Sequence, residues 1–272
     1  MICFLNGKFI PLQKAGVGLY DLGILRGYTI FEVMRTYNGK LFMYADHYKR
    51  FQNSAKEMGM RISYSQNELD KKINRILAKN RNGGENVVRV VMTGGISKDT
   101  MHMTGKPTFY ILVEPFIPLP VEVYEKGISI PTREFQRNIP EAKTANYIQG
   151  VQVLNKNKDT REVLFIKDNK VLEASTSNLF IAKGGKVITP INNILHGITR
   201  KVVISFARKH FRVEERDISK KELFSADEAF LTATNKKIVP VVKIDSKKIG
   251  NGRVGNTTKQ LMDLFDSYVS KY

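Results

Sequence analysis

The sequence predicts an α+β fold in two domains. Three features carry that expectation: strand–turn–strand signals near the N-terminus, amphipathic helical stripes that do not alternate strictly with strands, and a proline-rich break near the middle. Regular βαβ alternation would argue for a doubly wound parallel sheet; here strands and helices are grouped instead. A chain of 272 residues has room for one large domain or two modest ones. At that size it can bury roughly three quarters of the surface its unfolded form exposes.

The first hairpin is Cys3-Phe4-Leu5, Asn6-Gly7, Lys8-Phe9-Ile10. Asn-Gly suits the left-handed dihedrals of a type I′ turn. The pattern returns over 29–37, Asn38-Gly39 and 40–43. There Phe31, Val33, Arg35 and Tyr37 share one strand face, and Ile30, Glu32 and Met34 share the other. Asp46 reads as the cap of a helix running to about Met58, with Phe51, Ala55 and Met58 as its core stripe. A second helix is expected over 66–79, and strands over 87–93 and 109–114 flank a polar loop, 94–106. The run Glu114-Pro-Phe-Ile-Pro-Leu-Pro120 has three prolines in seven residues, a stiff extended connection. It divides the chain into a small N-terminal domain, 1–116, a linker, 117–122, and a larger domain, 123–272.

The larger domain opens with a strand over 127–131, and 143–154 reads as a helix. A four-strand meander follows: 163–167 and 171–173 around an Asp-Asn turn, then 178–182 and 186–189 around a Gly-Gly turn. The segment 200–211 is amphipathic, with Val203, Phe206, Ala207 and His210 on one side. Leu261, Leu264, Phe265 and Tyr268 mark a C-terminal helix.

Composition narrows the function classes. Hydrophobic residues at 42% and charged residues at 26% are ordinary for a soluble globule and exclude a disordered or collagen-like chain. No apolar run approaches the roughly 18 residues that span a bilayer, and no signal-peptide pattern is seen. One cysteine, Cys3, makes neither an internal disulfide nor a cysteine metal cluster. A cytoplasmic protein with no membrane partner is expected. Lys+Arg 44 against Asp+Glu 26 gives a net charge of +18, which attracts polyanions or anionic metabolites. No Lys/Arg block of five and no zinc-finger or RNA-recognition signature accompanies it, so a solvated basic surface and no nucleic-acid partner are expected. The four histidines, His47, His102, His196 and His210, lack metal-ligand spacing, and no metal site is expected.

Three features bear on chemistry. Gly197-Ile198-Thr199-Arg200 opens a helix, whose N-terminus suits a phosphate; equally, Thr199 is a plain N-cap. Leu231-Thr232-Ala233-Thr234-Asn235 ends an apolar strand in small hydroxylated residues that suit an anion, or form a simple loop. Glu173 ends an apolar strand before a small polar run, as a surface residue or as the partner of a heteroaromatic nitrogen.

Together with Phe31-Glu32 and Arg35, His47-x-x-Arg50, Lys143-Thr-Ala-Asn146-Tyr147, Glu173-Ala-Ser-Thr-Ser-Asn178-Leu-Phe180, Thr189-Pro190, Leu195-His-Gly-Ile-Thr-Arg200 and Ala226-Asp227-Glu228, these features resemble the class IV aminotransferase family. These are the fold type IV pyridoxal-phosphate enzymes, among them branched-chain and D-amino-acid aminotransferases and aminodeoxychorismate lyase. The resemblance spans nearly the whole chain and implies pyridoxal 5'-phosphate as cofactor. It implies that Lys143 is the Schiff-base lysine and also moves the proton. By the same likeness Glu173 keeps the pyridine nitrogen protonated, which makes the ring an electron sink. Arg50, Ile198, Thr199, Ala233 and Thr234 resemble the phosphate cup, Tyr147 the partner of the ring phenolate, and Leu195 the apolar residue against the ring. A homodimer, with the active site between domains and a partner loop over the pocket, is implied as well.

Transamination of an α-amino acid, branched-chain or D-amino-acid type, is the first expectation. D-amino-acid aminotransferases present an Arg-x-His pair on a loop; the matching loop here, 94–102, has Lys98 and His102 but no arginine. Phe31 and Arg89 fall at substrate-side positions, and Arg26 replaces a pocket aromatic, which suits a substrate with an additional acid group. Aminodeoxychorismate lyase, releasing 4-aminobenzoate and pyruvate, is the alternative. A basic non-enzymatic binding module is the remote one.

Overall fold

Four hairpin turns anchor the chain. Asn6-Gly7, Asn38-Gly39, Asp168-Asn169 and Gly184-Gly185 all have positive φ at both central residues. That is the type I′ geometry, whose twist matches the flanking strands. The computed structural model describes residues 1–81, 83–157 and 159–272. They form two compact units: Met1–Ile117 with Glu141–Asn146 and Tyr272, and Pro118–Pro140 with Tyr147–Lys271.

The first unit holds strands β1 (Ile2–Leu5), β2 (Lys8–Pro11), β3 (Thr29–Tyr37), β4 (Lys40–Leu41), β5 (Asn86–Thr93) and β6 (Phe109–Pro115). They make one antiparallel sheet in the order β2-β1-β6-β5-β3-β4. Helices α1 (Leu22–Arg26), α2 (Tyr44–Glu57) and α3 (Gln66–Lys79) accompany it. Phe4, Ile30, Met34, Phe51, Leu69, Ile73, Ile76 and Met92 are fully buried, so the helical stripes and alternate strand residues meet in one core. Ser65 and Glu68 close a capping box at the start of α3. Asp46 does not cap α2. The helix begins two residues earlier, after Met43 in the left-handed region, and Asp46 sits in the first turn, where the helix dipole favours it.

The second unit contains α4 (Val121–Lys126), β7 (Ile128–Ile130), β8 (Thr132–Glu134), α5 (Ile148–Lys156), β9 (Leu164–Lys167), β10 (Lys170–Ala174), β11 (Asn178–Lys183) and β12 (Lys186–Thr189). It continues with α6 (Ile198–His210), β13 (Arg212–Glu215), β14 (Ile218–Ser219), α7 (Lys220–Phe224), β15 (Glu228–Ala233), β16 (Lys237–Ile244), β17 (Lys247–Lys248) and α8 (Asn256–Ser270). The main path of its sheet runs β17-β16-β15-β11-β10-β9-β8, and the other four strands branch from it. Leu179, Ile181, Ala229 and Leu231 face one buried aliphatic cluster. The alternate residues of β11 and β15 face the other way. There Phe180 stacks on Phe230 with ring centroids 5.0 Å apart and planes 6° from parallel.

The segment Glu141–Asn146 departs from two sequence expectations. It belongs to the first unit, not to a continuous domain over 123–272, and the helix expected over 143–154 starts only at Ile148. Strand pairing is the reason. Phe31 N–H donates to the Lys143 carbonyl at 3.0 Å, and Ala145 N–H to that of Thr29 at 3.0 Å. These bonds hold 143–145 extended along β3 and unavailable to a helix. The helix expected over 200–211 likewise starts earlier, at Ile198 with Gly197 as its cap residue; Thr199 is therefore not an N-cap, and His210 is exposed and outside the core stripe. No helix among the described residues is long and apolar enough to cross a membrane.

The Phe180–Phe230 stack yields a stability prediction. Phe230→Ala should cost about 3–5 kcal/mol, because the closely packed strands on either side cannot collapse into the cavity. Urea unfolding would show it as a lower midpoint at an unchanged slope.

Candidate active site

In the first unit the candidate residues gather on β3, α2 and the segment carrying Lys143. The main chain of Lys143 is fixed twice: its N–H donates to Ser54 Oγ of α2 at 2.9 Å, and its carbonyl accepts from Phe31. Its ammonium lies 4.7 Å from the centroid of the Phe31 ring. Next to Phe31, and on the opposite face of β3, Glu32 is fully buried. Arg50 grips it with both Nε and Nη2 at 2.7 Å, and His47 Nδ1 lies 2.8 Å from it. An ionised carboxylate only accepts hydrogen bonds, so Nδ1 carries the proton. Burial alone would push the Glu32 carboxyl up; the charge and hydrogen bonds of Arg50, with His47, outweigh burial and hold it down at about 2. Burial pushes the His47 imidazole below its ordinary value, and the charges of Arg50 and Lys143 add to that. Spacing explains the cluster. His47 and Arg50, three apart on α2, share the helix face that meets β3.

In the second unit the site is a row across the sheet. Glu173 of β10 pairs with Asn178 of β11, and Asn178 with Thr232 of β15. Glu173 receives Arg137 Nε at 2.8 Å on Oε1 and the Leu195 N–H at 3.0 Å on Oε2. Asn178 donates to the Leu195 carbonyl at 2.7 Å. Leu195 is thus held on both sides of its peptide, two residues before Gly197. Gly197 lies so close to Asn178 that a Cβ would strike the amide oxygen. Then α6 begins, and its first turn, Ile198, Thr199 and Arg200, is buried, with no side-chain cap and no acidic residue. Arg200 fastens that turn to its surroundings, through the Pro190 carbonyl at 2.8 Å and Glu215 at 3.0 Å. Ala233 and Thr234 follow Thr232 at the end of β15. Tyr147 is half-buried at the head of α5, whose Gly150 packs against Ser175.

The remaining candidates lie elsewhere in the first unit. Arg26 ends α1, is exposed, and donates to Thr100 Oγ1 at 3.1 Å. The loop it touches is folded around Asp99, which accepts from the N–H groups of Met101 and His102 and from the His102 ring at 2.6 Å. Lys98 is exposed and lines an open cavity with Tyr64, Lys106 and Phe109. Arg89, which pairs with Val33 on the face of β3 that carries Phe31, is engaged by Glu114 of the neighbouring strand at 2.9 Å. Sequence reasoning missed Arg137, Ser54 and the fully buried Glu162. No local pattern marks them, since each acquires its role only from partners distant in sequence.

The second unit suits a phosphorylated ring. A buried, uncapped helix N-terminus lacks partners for its first N–H groups, and an anion supplies them. Among the described residues the buried Thr232 Oγ1 and Asn235 Oδ1 have no hydrogen-bond partner. A hydroxyl in the row with a proton to donate and a buried helix end without a side-chain cap fit the phosphate of such a group.

Comparison with known proteins agrees. The model of the family "Amino-transferase class IV" matches residues 29–244, and the chain belongs to that family. It is 34% identical to a Methanocaldococcus jannaschii protein provisionally named a branched-chain-amino-acid aminotransferase, over 100% of this chain and 98% of that one. It is 30% identical to the D-alanine aminotransferase of Staphylococcus epidermidis, over 99% and 98%. Among solved structures, the branched-chain amino acid aminotransferase of Escherichia coli superposes with a TM-score of 0.91 at 25% identity, covering 99% and 95%. The enzyme of the same name from T.th., solved with pyridoxamine 5'-phosphate, gives 0.90 at 26%, covering 99% and 94%. The protein is therefore a pyridoxal-phosphate-dependent aminotransferase with the α+β fold of that class. The findings support neither the aminodeoxychorismate lyase alternative nor the non-enzymatic binding module.

The Glu32 cluster sets a pH dependence. The carboxyl is held below its ordinary 4.5, so its contribution to stability is complete above that value and is lost as pH falls from 4.5 towards about 2. Glu32→Gln strands the Arg50 charge and should cost about 3–5 kcal/mol at neutral pH. Thermal melts recorded across that acid range should then show a flatter loss for the variant than for the wild type.

Proposed function

We propose that Lys143 is the amine that bonds the cofactor aldehyde and carries the proton from the substrate Cα, in the transamination of a branched-chain α-amino acid. The observation behind this reading is how Lys143 is held. With its N–H on Ser54 and its carbonyl on β3, only the side chain is left to move. Pyridoxal 5'-phosphate, when bound, supplies the aldehyde and a ring that takes up the electron pair left at Cα. Glu173 keeps a proton on the pyridine nitrogen, and its own carboxylate is oriented by Arg137 and the Leu195 N–H. Ile198, Thr199, Ala233 and Thr234 receive the phosphate through helix-end and loop donors. Tyr147 partners the ring phenolate and Leu195 packs on the ring.

The loop over 94–102 favours an apolar substrate side chain. It holds no arginine, its histidine is turned to Asp99, and it exposes Ile96 and Met101. Arg26 beside it suits the second carboxylate of a dicarboxylic co-substrate, whereas Arg89, engaged with Glu114, takes no part. The proposal includes a cytoplasmic homodimer. Its support is an apolar patch on the first unit, where Leu19, Tyr20 and Ile24 are exposed around the start of α1.

Absorbance of the cofactor-loaded protein tests this without an acceptor keto acid. L-leucine and L-glutamate should bleach the yellow band, and D-alanine should not. Lys143→Ala, which lacks the amine that bonds the aldehyde, should lose that yellow band altogether. Bleaching by D-alanine alone would move the assignment to the D-amino-acid type. A protein that stays colourless with added pyridoxal phosphate would overturn the reading.

A further inference from the structure

The carboxylate that organises the second unit lies outside the residues assigned to the cofactor. Glu162, two residues before β9, has no exposed surface. Its Oε2 accepts from Ser175 Oγ at 2.5 Å and the Thr176 N–H at 2.9 Å. Its Oε1 accepts from the Thr176 and Ser177 hydroxyls at 2.5 Å each and from the ammonium of Lys236. Lys236 also donates to Thr176 Oγ1 at 2.7 Å. Five donors on one buried carboxylate offset a desolvation cost of several kcal/mol, which an unpaired charge would leave exposed. Burial pushes its carboxyl up, and Lys236 with the hydroxyls outweighs that and holds it ionised.

The partners come from two turns. Ser175, Thr176 and Ser177 are the whole connection between β10, which carries Glu173, and β11, which opens with Asn178. Lys236 lies in the turn after Ala233 and Thr234, between β15 and β16. Since Asn178 pairs with Thr232, both turns sit at the same end of the sheet. We propose that Glu162 is a positioning residue that fixes the turn presenting Glu173 and Asn178 against the turn presenting Ala233 and Thr234. It thereby sets the separation between the group facing the pyridine ring and the groups receiving the phosphate. The inference rests on the cofactor reading above. It also assigns the charge of Lys236 to Glu162, so in this unit the phosphate draws on N–H and hydroxyl donors.

Titration of the full-length apoprotein with two ligands tests this. Glu162→Gln should weaken pyridoxal 5'-phosphate binding by about tenfold or more, the loss of a charged hydrogen-bond set. Binding of pyridoxal, which lacks the phosphate and needs no such separation, should change by less than about twofold on the same scale. A merely structural role would weaken both ligands alike. An equal loss for both, or unchanged pyridoxal phosphate binding, would overturn the proposal. If Glu162→Gln does not fold, Thr176→Val carries the test, because Thr176 is exposed and the change removes one hydroxyl donor to Glu162 and one acceptor for Lys236 while keeping the Thr176 N–H. It should cost about threefold for pyridoxal phosphate alone, and no loss would overturn the proposal. Wild-type protein that binds neither ligand would overturn the cofactor reading itself, a result distinct from a variant that binds as the wild type does.

Discussion

The cross-strand row of Glu173, Asn178 and Thr232 is the constraint on which the second unit depends. A strand that slipped by one residue would send every side chain to the other face. Glu173 would then be lost from the row, and Leu179 would leave the aliphatic cluster that fixes β11. The same alternation that buries Leu179, Ile181 and Leu231 on one face therefore delivers Asn178 and Thr232 to the other. Asn178 then extends the row beyond the sheet. By holding Leu195 and crowding Gly197, it decides where α6 begins, so the helix N-terminus is placed by strand register and not by its own capping residue.

Each unit contains a fully buried carboxylate ringed by donors, in a chain of net charge +18. Glu32 orders His47 and Arg50 from one helix, and Glu162 orders two turns from different strands. Both are held ionised by a cation that outweighs the cost of burial. The sign of the net charge says nothing of this. The excess lysines and arginines are mostly solvated, whereas the electrostatics that shape each unit come from its rare buried acids. A buried anion matched by fixed donors also rigidifies its neighbourhood, because any displacement leaves a charge or a hydroxyl unsatisfied.

What the sequence disclosed follows the range of the interactions. Turns with positive φ, the helix over 66–79 and the strand alternation of 29–37 depend on near neighbours and were legible. The segment around Lys143 was not. Its apolar spacing suggested a helix, but its hydrogen bonds go to β3, more than a hundred residues away. The motifs that carried the family resemblance divide when seen in the structure. Glu173 and Leu195 are bonded to each other in the row proposed for the cofactor, whereas Arg200 clamps a helix turn and Glu228 caps α8 through the N–H groups of Thr257 and Thr258. A motif in sequence thus marks a shared scaffold as readily as shared chemistry, and only the partners tell them apart.

The division between fixed and variable parts also explains where specificity resides. The chemistry common to transamination needs an amine, a protonated ring and a phosphate anchor, and the residues proposed for these roles are held by strand pairing and buried hydrogen bonds that leave little freedom. The loop over 94–102 is built differently. Gly94, Gly95 and Ser97 tie the start of the loop to Tyr28, Leu22 and Tyr20, while Asp99 gathers the N–H groups and histidine of the tip, so the tip keeps its shape through local bonds. Such a segment tolerates changes of side chain without disturbing the core, as surface loops on rigid scaffolds do. Exchanging an arginine for a lysine or a methionine there alters what meets the substrate and leaves the Lys143 cluster intact. On the proposed reading, substrate choice lies with the exposed side chains of that loop and Arg26, while the reaction type lies with the buried bonds of the sheet.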